Sequence, residues 1–155
     1  MWMHCEKEVN SHVFLSADLA MAGRFASTEA FATETSKHAL PFRPVAKVGT
    51  SNRFAAVDYC LAVAAGHLRG FGMALSAVAR LLERIGHTAL TTAVSQFQDG
   101  DITEIYVGVS AILDQEDNFS VVFTDRAAVA DALADLDLIV ISVGDRLERR
   151  VKGIA

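Results

Sequence analysis

Few side chains of this 155-residue chain are placed to do chemistry, and the first of them is a carboxylate. Asp18 opens the segment Ser16 to His38, in which Leu19, Ala22, Phe25, Ala26, Ala30 and Phe31 recur at helical spacing. A carboxylate in a first helical turn can act as general base or nucleophile, with the free amides of that turn as oxyanion donors. It is also the residue type that capping and the helix dipole favour there. His12 and His38 flank this helix, while His67 and His87 fall beside glycines. None shows HxxxH or HExxH spacing and no acidic ligand completes a set, so no metal and no cofactor is expected. Ser16 and Ser76 lack a nucleophile elbow, and Cys60, inside the apolar run 55–65, reads as an inert buried thiol. Gly66-x-x-x-Gly70-x-Gly72 is not followed by the Lys-Ser or Lys-Thr of a phosphate loop and reads as a turn. Arg146, Arg149, Arg150 and Lys152, interrupted by Asp145 and Glu148, gather positive charge late in the chain, as a solvated segment or a phosphate contact.

The elements that position these groups belong to one domain, 1–155, since no repeat, linker or break in composition divides the chain. An apolar fraction of 52% and a mean hydropathy of +0.29 exclude disorder and suggest a further buried interface, hence a homo-oligomer. Fourteen Lys and Arg against nineteen Asp and Glu give a net charge of −5, which disfavours nucleic acid as a partner. Two cysteines, Cys5 and Cys60, make no disulfide framework, and the first residues lack a signal-peptide pattern, so a cytoplasmic location is expected. The weakly polar stretch Phe54 to Leu82 carries Asp58, His67, Arg69 and Arg80 and is not expected to enter a membrane.

Pro41 and Pro44 end the first helix and keep Phe42 to Val48 extended. Asn52 to Ile85 admits three readings. Phe54, Val57, Leu61, Ala64, Leu68, Phe71, Leu75, Val78, Leu82 and Ile85 form a heptad seam on one long helix, which suits a dimeric interaction or small-ligand-binding module. Three glycines in seven residues weigh against that helix and favour two strands, Arg53 to Ala64 and Met73 to Glu83. A helical hairpin bent at the glycines is the third reading, and the strands are preferred. Thr88 to Phe97 and Ile102 to Leu113 read as an antiparallel pair turning at Asp99-Gly100-Asp101. A strand at Phe119 to Phe123, an alanine-rich helix at Asp125 to Asp137 capped by Thr124 or Asp125, and a strand at Leu138 to Val143 complete the chain before its charged tail.

The stretch Leu75-Ser76-Ala77-Val78-Ala79-Arg80-Leu81-Leu82-Glu83-Arg84-Ile85-Gly86, followed by His87-Thr88-Ala89-Leu90 and the Asp99-Gly100 turn, resembles the PaaI-like acyl-CoA thioesterase branch of the hotdog superfamily. That resemblance covers about residues 54–113. It implies an α+β fold in which a curved antiparallel sheet wraps the alanine-rich helix Ser16 to His38, with the C-terminal strand-helix-strand as an extension. It further implies an acyl thioester hydrolase or an acyl-thioester-binding protein, with acyl-CoA or another small apolar ligand as partner. Asn10, His12 and Asp18 are the nearest match to the family's catalytic region, although the His-Gly-Gly segment is absent. Arg53, Arg69 and Arg84 are the candidates to meet the phosphates of a CoA-type ligand.

Overall fold

A computed structural model describes residues 13–85, 87–110 and 120–153 of the chain. Among the described residues the protein is α+β, with seven helices and two small antiparallel sheets of three strands each. In the first sheet β1 (Phe14–Leu15) and β2 (Ala46–Val48) flank β3 (Ser51–Phe54). Gly49, at φ +63°, opens the two-residue loop that joins β2 to β3. In the second, β5 (Ser120–Phe123) and β6 (Leu138–Ser142) flank β4 (Tyr106–Ser110), whose Val107 and Val109 face the core with Ile141.

Ser16 to His38 is two helices rather than one. The first, α1 (Ser16–Ala22), stops at Gly23 and Arg24, and α2 (Thr28–His38) restarts where the Ser27 hydroxyl accepts a hydrogen bond of 3.0 Å from the Ala30 amide. Ala39, in the left-handed region at φ 51°, ends α2, and the two prolines carry the chain extended into β2 as expected.

The helix at the centre of the molecule is α3 (Ala56–Gly70), buried without a break from Ala56 through Gly66 and covered by α1, α4 (Leu75–Arg84), α5 (His87–Gln98) and α7 (Gly144–Val151). The preferred strands at Arg53 to Ala64 and Met73 to Glu83 are therefore corrected to a helical hairpin. A segment so rich in alanine favours helix, and one that is apolar on every side fits a fully covered helix. Of the three glycines only Gly72, at φ +85°, makes the bend. Gly66 and Gly70 stay helical, and a neighbouring backbone or side chain occupies the space of their missing β-carbons. The heptad seam is split at this bend, and Leu61, Leu68, Val78, Leu82 and Ile85 are spent inside the chain's own core.

Thr88 to Phe97 is also helical. Leu90, Ala93, Val94 and Phe97 follow the 3.6-residue period, which outweighs the β preference of the threonines. Asp99-Gly100-Asp101 accordingly caps α5 instead of turning a hairpin, with Gly100 at φ +81° and the Asp101 amide donating to the Gln96 carbonyl at 2.9 Å. The C-terminal strand-helix-strand stands as expected, with α6 (Arg126–Asp135) capped by Asp125, whose carboxylate accepts from the Ala128 amide at 2.7 Å. The charged tail is the helix α7, anchored by the buried Leu147. The single curved sheet around Ser16 to His38 is thus replaced by two separate sheets and a central α3. Among the described residues no helix is long and apolar enough to cross a membrane.

Candidate functional site

Three elements distant in sequence converge on a cavity of about 230 Å³ along one face of α3. The turn after α1 brings Arg24, α3 brings Tyr59 and His67, and α7 brings Arg146, Arg149 and Arg150. Positions 146, 149 and 150 are spaced i, i+3 and i+4, so one face of α7 presents three guanidinium groups while Leu147 is buried. The lining carries four arginines against one carboxylate, Asp18, in a protein whose net charge is −5.

Arg24 is held in an unfavourable conformation. Its φ of 58° lies in the left-handed region that side chains with a β-carbon avoid at a cost of about 1 kcal/mol. The Arg69 guanidinium fixes this turn by donating from Nη1 to the carbonyls of Gly23 at 3.0 Å and Arg24 at 2.9 Å, and it lies 4.7 Å from the centre of the Phe25 ring. Arg69 is therefore a positioning residue. The turn also presses on α3, where a β-carbon on Gly66 would overlap the Ala22 carbonyl and one on Gly70 would overlap the Arg24 guanidinium.

Asp18 has both carboxylate oxygens engaged. Oδ2 accepts from the Leu15 amide at 2.8 Å, closing the start of α1, and Oδ1 accepts from Arg150 at 2.6 Å and 3.0 Å. The side chain is 16% exposed, so this pair is partly shielded from water. Asp18→Ala is expected to lower the unfolding free energy by about 1–2 kcal/mol in a urea titration, the scale of a lost cap together with a charge-assisted bond. Asn10 and His12 lie outside the described residues.

Arg24 and Arg146 have no ion pair among the described residues, and Arg149 meets Asp145 at 3.4 Å on an exposed surface. Burial, then the charges of Arg146 and Arg24, lower the pKa of His67 and favour its neutral imidazole. Burial raises the pKa of Tyr59, against the pull of Arg150 and Arg146. The cavity thus offers strong donors beside a neutral imidazole. Cys60 lies fully buried on α3, its thiol pushed up to about 12 by burial and then by Asp58.

None of the three arginines that were candidates for the phosphates of a CoA-type ligand lines this cavity. Arg53 precedes α3 and Arg69 ends it, which separates them by about 20 Å of helix. Arg84 closes α4, and neither it nor Arg53 lines the cavity. The basic residues near the chain end were the sequence signal for this site. Arg24, Tyr59 and His67 had none, because only the docking of α1 and α7 on α3 makes them neighbours. Among the described residues no group of three or more His, Cys, Asp or Glu side chains gathers as a metal site would. No protein-family model matches the chain, and no curated protein matches it.

Proposed function

We propose that this chain is a small-ligand-binding module whose arginine-lined cavity captures a compact anionic group, a phosphate or a carboxylate carried by a small molecule. The observation that carries the reading is the meeting of two guanidinium groups that have no ion pair among the described residues, Arg24 and Arg146, beside a His67 that they help to keep neutral. Paying the backbone strain at Arg24 and filling the α3 groove at Gly66 and Gly70 place one of those charges where it is. A guanidinium–oxyanion bond is worth about 1.5–3 kcal/mol, so loss of one arginine is expected to weaken binding by about tenfold to a hundredfold.

The test is a titration with inorganic phosphate and with acetate at constant ionic strength, followed by NMR. Saturable binding is expected for one or both, weakened at least about tenfold in Arg146→Gln and unchanged in Lys47→Gln on the exposed β2. A bound anion favours the imidazolium, so the His67 titration midpoint should rise on binding. Equal competition by chloride, or unchanged affinity in Arg146→Gln, overturns the proposal.

An acyl-thioester ligand is the second reading, favoured by the cations, which suit the phosphates of CoA, and by Met21 at the cavity lip, 82% exposed. The segment that carries the hotdog resemblance is α4, a helix where that family has a strand, so this reading leans on ligand chemistry alone. Binding of CoA that tracks phosphate binding across the variants, together with turnover of acyl-CoA, supports it. Phosphate binding without CoA binding removes it.

A further inference from the structure

A second cavity, of about 540 Å³, lies against another face of α3 near its start, walled by the Pro41–Pro44 segment, α4 and the start of α5. Asp58 belongs to its wall, is 3% exposed, and its Oδ1 has no hydrogen-bond partner among the described residues. A buried carboxylate oxygen left unpaired is costly, and such groups in folded proteins are ordinarily met by a donor. Val57, Leu61, Leu82 and Ile85 form an apolar part of the wall beside it.

We propose that this cavity is a binding site for a small primary ammonium ion with a short apolar tail, its head group donating to Asp58 and its tail lying on Leu61, Leu82 and Ile85. The carboxylate is recessed below the wall, so a compact ammonium suits it better than a broad planar guanidinium. The charged and titratable groups facing the cavity from the other elements are Arg43 of the loop, Glu83 of α4 and His87 of α5, with Thr91 Oγ1 3.3 Å from His87 Nδ1. Arg43 opposes an ammonium and Glu83 favours one, which leaves Asp58 as the group that decides. Burial pushes its pKa up to about 6, against the backbone amides of Arg43 and Ala55 and the Arg43 charge. Protonation below that value removes the negative charge that holds the ammonium, so affinity should fall by about tenfold per pH unit on the acid side.

The probe is n-butylammonium, titrated into the full chain and followed by NMR, with n-butanol and butyrate as the uncharged and oppositely charged controls. Saturable shifts at the cavity residues are expected with n-butylammonium at pH 7, weakened about tenfold at pH 5 and at least about tenfold in Asp58→Asn. His87→Gln should keep the pH dependence, which separates the carboxylate from the imidazole. Equal binding of n-butanol, a flat pH profile, or full affinity in Asp58→Asn overturns the proposal. Should Asp58→Asn fail to fold, the wild-type pH series with the n-butanol control decides alone. Phosphate binding at the arginine cavity stays intact in any of these outcomes, so the two sites stand or fall separately.

Discussion

Replacing Gly66 with alanine is expected to lower the unfolding free energy by about 3 kcal/mol, the upper range of an overpacked core substitution. Alanine gains about 1 kcal/mol of helix propensity over glycine, which works against this loss. The overlap wins because its partner is backbone. The new β-carbon meets the Ala22 carbonyl oxygen, its carbonyl carbon at 3.1 Å and the Gly23 Cα at 3.3 Å, none of which is the movable end of a side chain. Relief requires α1 to lift from α3, which opens contacts made by Leu19 and Ala20. Gly70→Ala is the internal control. Its β-carbon meets only the Arg24 guanidinium, a group that swings aside at little cost, so stability should change by less than about 1 kcal/mol while phosphate binding weakens. Urea unfolding and phosphate titration on both variants read the two effects. Equal stability of the Gly66 and Gly70 variants contradicts the docking argument.

Asp58→Asn is expected to be more stable than the wild type at pH 8 by about 2 kcal/mol, and no more stable at pH 4. The carboxyl has its pKa raised from an ordinary 3.8 to about 6, chiefly by burial. A raised value means that the folded protein holds this proton more tightly than the unfolded chain does. Its contribution to stability is present below pH 4, is lost as pH rises through about 6, and is a constant deficit above that. A shift of about two pH units corresponds to at most about 3 kcal/mol, and the cavity beside the group screens part of it. An isosteric amide carries no charge and escapes the deficit. On a chain of this size the difference is about 4–8 °C in melting temperature at pH 8. Thermal melts of both proteins from pH 4 to pH 8 measure it, and a constant gap between them across that range contradicts the assignment.

The parts legible in the sequence were those decided by neighbours in the chain. Asp125 opening an alanine-rich helix, the apolar strand before it and the strand Leu138 to Ser142 after it follow from local capping and β preference. Pro41 and Pro44 likewise dictate an extended entry to β2, and the mixture of helix and antiparallel strand followed from the same local signals. Where two local signals conflicted, the weaker inference came from counting residues without their surroundings. Gly66-x-x-x-Gly70 looks like a turn when each glycine is charged its helical cost, and threonines in 88–97 look like a strand when the apolar period is passed over.

Read locally, the chain is acidic, apolar-rich and α+β, with the Asp125 cap, a C-terminal strand-helix-strand and a basic stretch near its end. Helix docking alone makes Gly66 and Gly70 a groove, seats α1 in it with Arg24 strained, and brings Arg146, Arg149 and Arg150 of α7 to the same cavity. The two differ in range. Caps and turns draw on residues three or four positions away, whereas Arg150 meets Asp18 across 132 positions, and such a contact exists only once burial of α3 has fixed where its neighbours lie.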